Sequence, residues 1–256
     1  GRNSFADCMN LSKTNYPMSL SSAGESIFAG DSKLKSITVP EGVKKLPDNM
    51  FQNCTNFTEI IFPESLKEIG VAALEGCTGL TEIRLPSGLT SIGNWSFNNC
   101  TGLTEIQLPD TLTKLGRNSF ADCTNLSSIN YPKNLSSAGE SIFDGDSRLK
   151  SITVPDGVEK LPDNMFKNCG NFSKISLPAT LKVIGKSAFE GINLERMVLP
   201  DSVTTIGAYA FCNCSLLEQI WIGKNVTEIH DRSFNGCKTE KLVIHGVAGS
   251  YAQEWS

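Results

Sequence analysis

A repeat of 23 residues runs through the whole chain and limits the folds that are open to it. The step shows first in a column of prolines, interrupted once by a step of 22 residues: Pro17, Pro40, Pro63, Pro86, Pro109, Pro132, Pro155, Pro178 and Pro200. A second column, mostly phenylalanine, keeps the same step: Phe5, Phe28, Phe51, Leu74, Phe97, Phe120, Phe143, Phe166, Phe189, Phe211 and Phe234. A fixed period of this length is the signature of a solenoid, in which each repeat forms one coil and stacks on the next.

Each repeat contains a segment in which apolar and polar residues alternate. In the repeat from Cys77 to Cys100, Ile83 and Leu85 are expected to point inward, and Glu82 and Arg84 outward. This period of two predicts a short strand over residues 80–86, ended by a proline that cannot donate to a sheet ladder. Stacked coils then place like strands side by side in a parallel sheet.

The rest of the repeat predicts two further pieces. An extended segment, Leu89–Ile92, ends at a bend at Gly93, and a helical turn surrounds Phe97 and Cys100. A single coil buries too few apolar side chains to offset the conformational entropy lost in ordering it. Each coil therefore depends on the coils above and below it.

Eight of the nine cysteines lie three residues after the phenylalanine column: Cys8, Cys54, Cys77, Cys100, Cys123, Cys169, Cys214 and Cys237. One such residue per coil is the pattern of small buried side chains, and a strand spacing of about 4.8 Å is too wide for a disulfide. We therefore predict free, buried thiols. A zinc site on Cys212, Cys214 and Cys237 is the alternative, although the last two already belong to the column. Asp31 and Asp146 replace cysteine in two coils and are expected to accept backbone N–H groups, with a cation site as the alternative.

The repeats predict one elongated domain of about ten coils over residues 1–237, followed by a cap over residues 238–256. Residues 1–115 correspond to 116–230, so a block of five coils has been duplicated. Lys241–Ile244 predicts a last strand and Gly249–Trp255 a short helix across the open end, where a solenoid needs a cap. Because Gly1 matches Gly116 in the middle of a repeat, we expect a piece of a longer protein whose bare first strand can self-associate.

Charge and composition exclude several functions. The net charge is only −4 and the signs are mixed, so neither a nucleic acid nor a membrane surface is predicted as a partner. No apolar run reaches the roughly 18 residues of a membrane span. His230 and His245 are the only histidines and lie in no nucleophile or metal motif. We therefore predict a protein that is not an enzyme and has no catalytic residue, cofactor or metal.

The outward positions of the first strands form the candidate binding surface. They carry acidic residues early in the chain and basic residues later, with two apolar anchors: Glu59, Ile61, Glu82, Arg84, Glu105, Gln107, Lys174, Arg196 and Trp221. Like charges side by side on a sheet are unfavourable without a partner, and aromatic side chains dominate binding hot spots. An ordinary solvated sheet face is the alternative interpretation.

The repeat closely resembles the leucine-rich repeats of BspA-like surface proteins, through its IG-x-x-(A/S)-F-x-x-C-T-x-L-T-x-I-x-L-P pattern and its LVIHG ending. The resemblance implies a β-rich α/β repeat solenoid: a right-handed leucine-rich-repeat superhelix with a parallel sheet on one face and short helical turns on the other. It also implies a secreted or cell-surface location and adhesion to host matrix or cell-surface proteins. The family supplies no catalytic residues to transfer.

These observations predict a non-enzymatic extracellular recognition module that binds a host or cell-surface protein through the strand face. A glycan is the alternative ligand. A structural spacer that displays other domains of a larger surface protein is the alternative function.

Overall fold

The computed structural model describes residue 6 and residues 24–238 and 240–255, which form stacked coils joined by parallel strands, as the repeat predicts. The chain divides into two compact units, Gly1–Ile142 and Phe143–Ser256. Most repeats contribute two short strands, one before and one after the position of the proline column, which we call the first and second strands. The bare first strand predicted to self-associate lies outside the described residues.

The described residues of unit 1 contain nine strands of two or three residues. They are β1 (Ser36–Thr38), β2 (Lys45–Leu46), β3 (Glu59–Ile61), β4 (Glu68–Ile69), β5 (Ser91–Ile92), β6 (Glu105–Ile106), β7 (Lys114–Leu115), β8 (Ser128–Ile129) and β9 (Ser137–Ala138). The second strands pair in one sheet of order β2-β4-β5-β7-β9. The first strands pair only in two parts, β1-β3 and β6-β8, and Glu82 of the coil between them forms a single parallel bridge with Glu105.

Nine further strands and one helix occur in the part of unit 2 that the structure describes. They are β10 (Ser151–Thr153), β11 (Lys160–Leu161), β12 (Lys174–Ser176), β13 (Val183–Ile184), β14 (Arg196–Val198), β15 (Thr205–Ile206), β16 (Gln219–Trp221), β17 (Glu228–Ile229), β18 (Val243–His245) and α1 (Tyr251–Trp255). The sheets are β10-β12, β14-β16-β18 and β11-β13-β15-β17. Helix α1 contacts β17 and β18 and buries Ala252 completely.

Equivalent residues of successive repeats lie beside one another, as the columns predict. Ile37 pairs with Ile60 in β1-β3, and Ile106 pairs with Ile129 in β6-β8. The step of 22 residues does not disturb the second strands, because Ile184 of β13 still pairs with Ile206 of β15. The repeat length therefore sets the strand register.

The phenylalanine column forms a stack of buried rings in each unit. The rings of Phe97 and Phe120 are 5.1 Å apart between centroids and nearly parallel, at 2°. The rings of Phe189 and Phe211 are 5.4 Å apart at 18°. Offset stacking of this kind adds to the free energy gained by burial alone. The aromatic stack therefore links neighbouring coils of the core.

The chain around each phenylalanine forms consecutive turns rather than a continuous helical turn. Trp95 and Asn99, on either side of Phe97, have positive φ angles of 55° and 56°. The N–H of Phe97 donates to the carbonyl oxygen of Ser119 in the next coil, at 2.9 Å. Since these N–H groups bond the neighbouring coil, they are not used within a helix.

The cysteine column is buried and hydrogen-bonded. The eight cysteines of the described residues are all free and buried. The thiol of Cys100 donates to the carbonyl oxygen of Leu74 at 3.2 Å, and that of Cys123 to the carbonyl oxygen of Phe97 at 3.1 Å. Each such bond spans two neighbouring coils. A cysteine therefore provides a small buried side chain that also satisfies a backbone acceptor.

Asp31 occupies the same column and uses its carboxylate as predicted. Its Oδ1 accepts hydrogen bonds from the backbone N–H groups of Lys33, at 3.1 Å, and Leu34, at 3.2 Å. No group of three or more residues suited to holding a metal ion occurs in the described part of the chain. The geometry of Asp31 is that of a turn-stabilising residue.

Replacing Phe97 tests the aromatic stack. Phe97→Ala removes a fully buried ring and is expected to lower the free energy of unfolding by about 3–5 kcal/mol. Phe97→Leu recreates the residue found naturally at Leu74 and is expected to cost less than half as much. Urea denaturation followed by circular dichroism measures both. Equal losses would contradict a specific contribution from the ring.

The buried thiols predict a loss of stability at alkaline pH. Burial raises the pKa of Cys54 and of Cys100 to about 12, from an ordinary value of 9. The folded chain therefore holds neutral thiols where the unfolded chain already ionises. This contribution is complete below pH 9 and declines up to pH 12, by about 1.4 kcal/mol per pH unit for each thiol.

Urea midpoints measured under reducing conditions between pH 7 and pH 11 test this expectation. The double variant Cys54→Ala, Cys100→Ala is expected to be less stable at pH 7 but to show a shallower alkaline decline. Part of the decline is expected to remain, because burial also raises the pKa of Cys77 and Cys169 well above the ordinary value and that of Tyr131 to about 12. A slope unchanged by the substitutions would contradict the assignment.

Candidate binding surface

The outward positions of the first strands form an exposed surface, which we call the strand face. In unit 1 it presents six of the predicted site residues, all of them exposed: Glu59, Ile61, Glu82, Arg84, Glu105 and Gln107. In unit 2 it presents exposed Lys174 and Arg196 and half-buried Trp221. The alternation of the strands aims these side chains outward while Ile60, Ile83 and Ile106 point into the core.

A groove of about 520 Å³ opens on the strand face of unit 1. Its lining consists of residues 58–62, 64 and 81–86. Four predicted site residues meet in it: Glu59 and Ile61 lie on one wall, and Glu82 and Arg84 lie on the other. Glu105 is the neighbour of Glu82 through the parallel bridge but does not line the groove, and neither does Gln107.

The groove lies where the ladder of first strands is interrupted. In the intact part, the N–H of Glu59 donates to the carbonyl oxygen of Lys35, at 3.2 Å. In the same register, the N–H of Glu82 would donate to the carbonyl oxygen of Thr58, and the N–H of Ile60 would donate to the carbonyl oxygen of Glu82. Neither hydrogen bond forms in the described chain. The hydrogen bonds from threonine side chains stop at the same place. The hydroxyl of Thr58 donates to the carbonyl oxygen of Lys35, whereas the hydroxyl of Thr81 makes no equivalent bond to the carbonyl oxygen of Thr58.

A phenylalanine accompanies the interruption. Phe57 stands where the following repeats have leucine, and its buried ring stacks on Phe51 at 5.0 Å. Its duplicate, Phe172, is also buried, and the ladder breaks again after β12, the strand of that repeat. The larger ring thus occurs beside both interruptions within the units.

The groove remains open although its two coils are joined elsewhere. The second strands β4 and β5 pair directly below it, with Ile69 opposite Ile92. In the turns around the phenylalanine column, the N–H of Leu74 donates to the backbone carbonyl oxygen of Ser96 at 2.9 Å. The opening is therefore confined to the strand face and is held by the rest of the coil.

The groove is acidic, with one positive charge. Glu59, Glu64 and Glu82 line it together with Arg84. No ion pair joins Arg84 to a carboxylate within the described residues, and Glu64 accepts a hydrogen bond from the hydroxyl of Ser87, at 3.1 Å. Exposed Ile61, with 52% of its surface accessible, adds an apolar patch beside these charges.

The strand face of unit 2 carries a different set of groups. Val198, Trp221 and His245 form a row across β14, β16 and β18. The rings of Trp221 and His245 are 4.5 Å apart and nearly parallel, and 68% of the surface of Val198 is accessible. Lys174 and Arg196 belong to separate sheets, so their strands are not paired.

Two of these features are missing from the sequence-based prediction. His245 lies in no metal or nucleophile motif, but aligning VIHG with the earlier QIWIG places it beside Trp221. The interruption of the ladder has one sequence signal, the phenylalanines in place of leucine at positions 57 and 172. No helix in the described residues has the length and hydropathy that a membrane span needs.

Stacked parallel strands, a 23-residue period and columns of leucine, phenylalanine and cysteine define a leucine-rich-repeat solenoid. The chain belongs to the family described as the BspA type leucine rich repeat region, six copies of which match residues 1–99, 44–171 and 139–252. No curated protein matches the chain.

Solved structures of bacterial repeat proteins are similar to the chain. A leucine-rich repeat protein from Bacteroides ovatus ATCC 8483 is 28% identical with a TM-score of 0.78, over 94% of this chain and 61% of that protein. A T. pallidum leucine rich repeat protein is 29% identical with a TM-score of 0.58, over 61% of this chain and 75% of that one. A leucine rich cell surface protein from Faecalibacterium prausnitzii A2-165 shares the fold at 22% identity and a TM-score of 0.53, over 99% of this chain and 70% of that protein.

Amide hydrogen exchange tests the interruption of the ladder. The N–H of Ile60 faces the groove without a partner, whereas that of Ile106 lies in the paired β6-β8 ladder. We expect Ile60 to exchange at least tenfold faster than Ile106 in native protein, measured residue by residue by NMR. Phe57→Leu is expected to let β3 pair with the segment around Glu82 and so to slow hydrogen exchange of the Ile60 amide. Equal protection of the two amides in the native chain would show that the ladder is continuous.

Proposed function

We propose that this chain is a non-enzymatic extracellular recognition module that binds a host or cell-surface protein through its strand face. The groove of unit 1 carries the proposal, because it gathers Glu59, Ile61, Glu82 and Arg84 around one concavity. Binding sites combine an apolar contact with a few convergent polar groups, and this groove has both.

The arrangement of charge supports a protein partner. Three carboxylates and one guanidinium at the groove give a potential that steers a partner with the opposite pattern. Trp221 in unit 2 supplies an aromatic anchor of the kind that dominates binding hot spots. A glycan could stack on the same indole, and it is the second ligand class to be tested.

Family membership supports the proposed location. The resemblance to BspA-like surface proteins implies adhesion outside the cell, and one similar structure belongs to a protein described as a cell surface protein. The chain spans 61% of the Bacteroides ovatus protein, so the activity of a whole protein of this kind rests on more than the present repeats.

Charge reversal on the strand face tests the proposed function. Binding of the chain to immobilised extracellular-matrix proteins, cell-surface proteins and glycans is measured by surface plasmon resonance. Glu82→Lys with Glu105→Lys is expected to weaken binding to the captured partner at least tenfold, and Trp221→Ala is expected to weaken it as well. Each variant is first checked for an unchanged circular dichroism spectrum.

Glu41→Lys with Glu140→Lys provides the matched control, since it makes the same change of charge at exposed positions outside the strand face. This control is expected to bind like the parent chain. If the strand-face variants also bind like the parent, the strand face is not the binding site, and a chain that captures no partner is better described as a structural spacer.

A further inference from the structure

We propose that the groove of unit 1 binds an extended peptide segment carrying a lysine or arginine, which pairs with the unbonded backbone groups along one wall of the groove. This inference rests on the proposed function and names the partner chemistry of the same site. It follows from the interrupted ladder, the shape of the opening and the order of side chains along it.

The backbone groups facing the groove lack partners on both sides. On the β3 wall they are the carbonyl oxygens of Thr58 and Ile60 and the N–H groups of Ile60 and Phe62, in the register of the β1-β3 ladder. On the opposite wall they are the N–H and carbonyl groups of Glu82 and Arg84. No hydrogen bond to any of these groups occurs within the described chain. An unpaired strand edge is a template for an added strand, and here two such edges face one another.

The groove is formed before any ligand arrives. The pairing of β4 with β5 and the hydrogen bonds of the turns hold the two coils together away from the strand face. At one end the coils are in close contact, because a Cβ on Gly79 would stand 2.8 Å from the carbonyl oxygen of Thr55. A ligand therefore meets a fixed opening, and little of its binding free energy is lost in ordering the protein.

The side chains of the walls determine which peptide fits. Successive residues of an extended ligand point alternately outward and inward. One outward residue lies between Glu59 and Glu82, where a lysine or arginine satisfies two carboxylates that are otherwise repelled by one another. Two residues further on, the ligand lies between Ile61 and the aliphatic stem of Arg84, which favours an aliphatic side chain.

The residue between these two faces inward. It lies over Ile60 and Ile83, which are only 6% and 8% exposed and form a closed apolar floor, so a small apolar side chain is expected there. The sequence expected to bind is therefore basic, small apolar, aliphatic. Its parallel alignment with the walls extends the direction of every first strand in the unit.

The test uses the whole chain and synthetic acetylated seven-residue peptides. The central three residues of the probe are lysine, alanine and isoleucine, flanked on each side by threonine and serine. One matched peptide replaces the lysine by glutamate, and a second carries N-methyl groups on the backbone of the alanine and isoleucine. Isothermal titration calorimetry gives the affinity, and NMR shift mapping identifies the amides that respond.

The lysine peptide is expected to bind and to shift the amides of Ile60, Phe62, Glu82 and Arg84. The glutamate peptide and the N-methylated peptide are each expected to bind at least tenfold more weakly. In the protein, Glu59→Gln with Glu82→Gln is expected to lose at least tenfold in affinity, whereas Glu140→Gln binds like the parent. Phe57→Leu, which is expected to close the groove, should abolish binding while leaving the other coils folded.

Failure of the lysine peptide to bind would overturn this inference, and so would binding that is indifferent to N-methylation, because the backbone edges would then play no part. Either result leaves the proposed function standing if the charge reversals on the strand face still weaken capture of a protein partner. If the lysine peptide fails to bind and the charge reversals also leave partner capture unchanged, the strand face is not a recognition surface.

Discussion

Hydrogen bonding between successive coils is the interaction on which the rest of this structure depends. Second strands such as β4 and β5 pair between neighbouring coils. In the turns, the N–H of Phe97 donates to the carbonyl oxygen of Ser119 in the next coil. The thiol of Cys100 donates to a carbonyl oxygen of the preceding coil. Each bond exists only when the neighbouring coil is in register. Because a single coil cannot offset its own conformational entropy, stability belongs to neighbouring pairs of repeats.

The same stacking produces the candidate binding surface. Equivalent outward positions become rows, so that Glu59 and Glu82 face one another across a groove although they are 23 residues apart. A regular ladder would make this surface flat and would satisfy its backbone. The interruption beside Phe57 provides both depth and unbonded peptide groups, which means that a local departure from the repeat supplies the features of the proposed recognition site.

The repeat made most of the fold predictable from sequence. The columns gave the parallel register, the burial of Phe97 and Cys100 and the exposure of Glu82 and Arg84. The turns were not predictable as such, since Trp95 adopts a positive φ that its residue type disfavours and that only the neighbouring coil stabilises. The groove was also missed, because a leucine-to-phenylalanine difference reads as ordinary core variation until the spacing of the strands is known.

The thiol column has a consequence for the order of events during biosynthesis. In the described part of the chain each thiol of the column is buried and donates to a carbonyl oxygen, so it is protected from the thiolate chemistry that forms disulfides. In a newly made, unfolded chain all nine cysteines, the eight of the column and Cys212, are exposed and can pair at random under oxidising conditions. A repeat of this kind therefore has to complete its stacking before oxidants reach it. Coils that add rapidly to a growing stack bury their thiols sooner and so leave less time for disulfides to form.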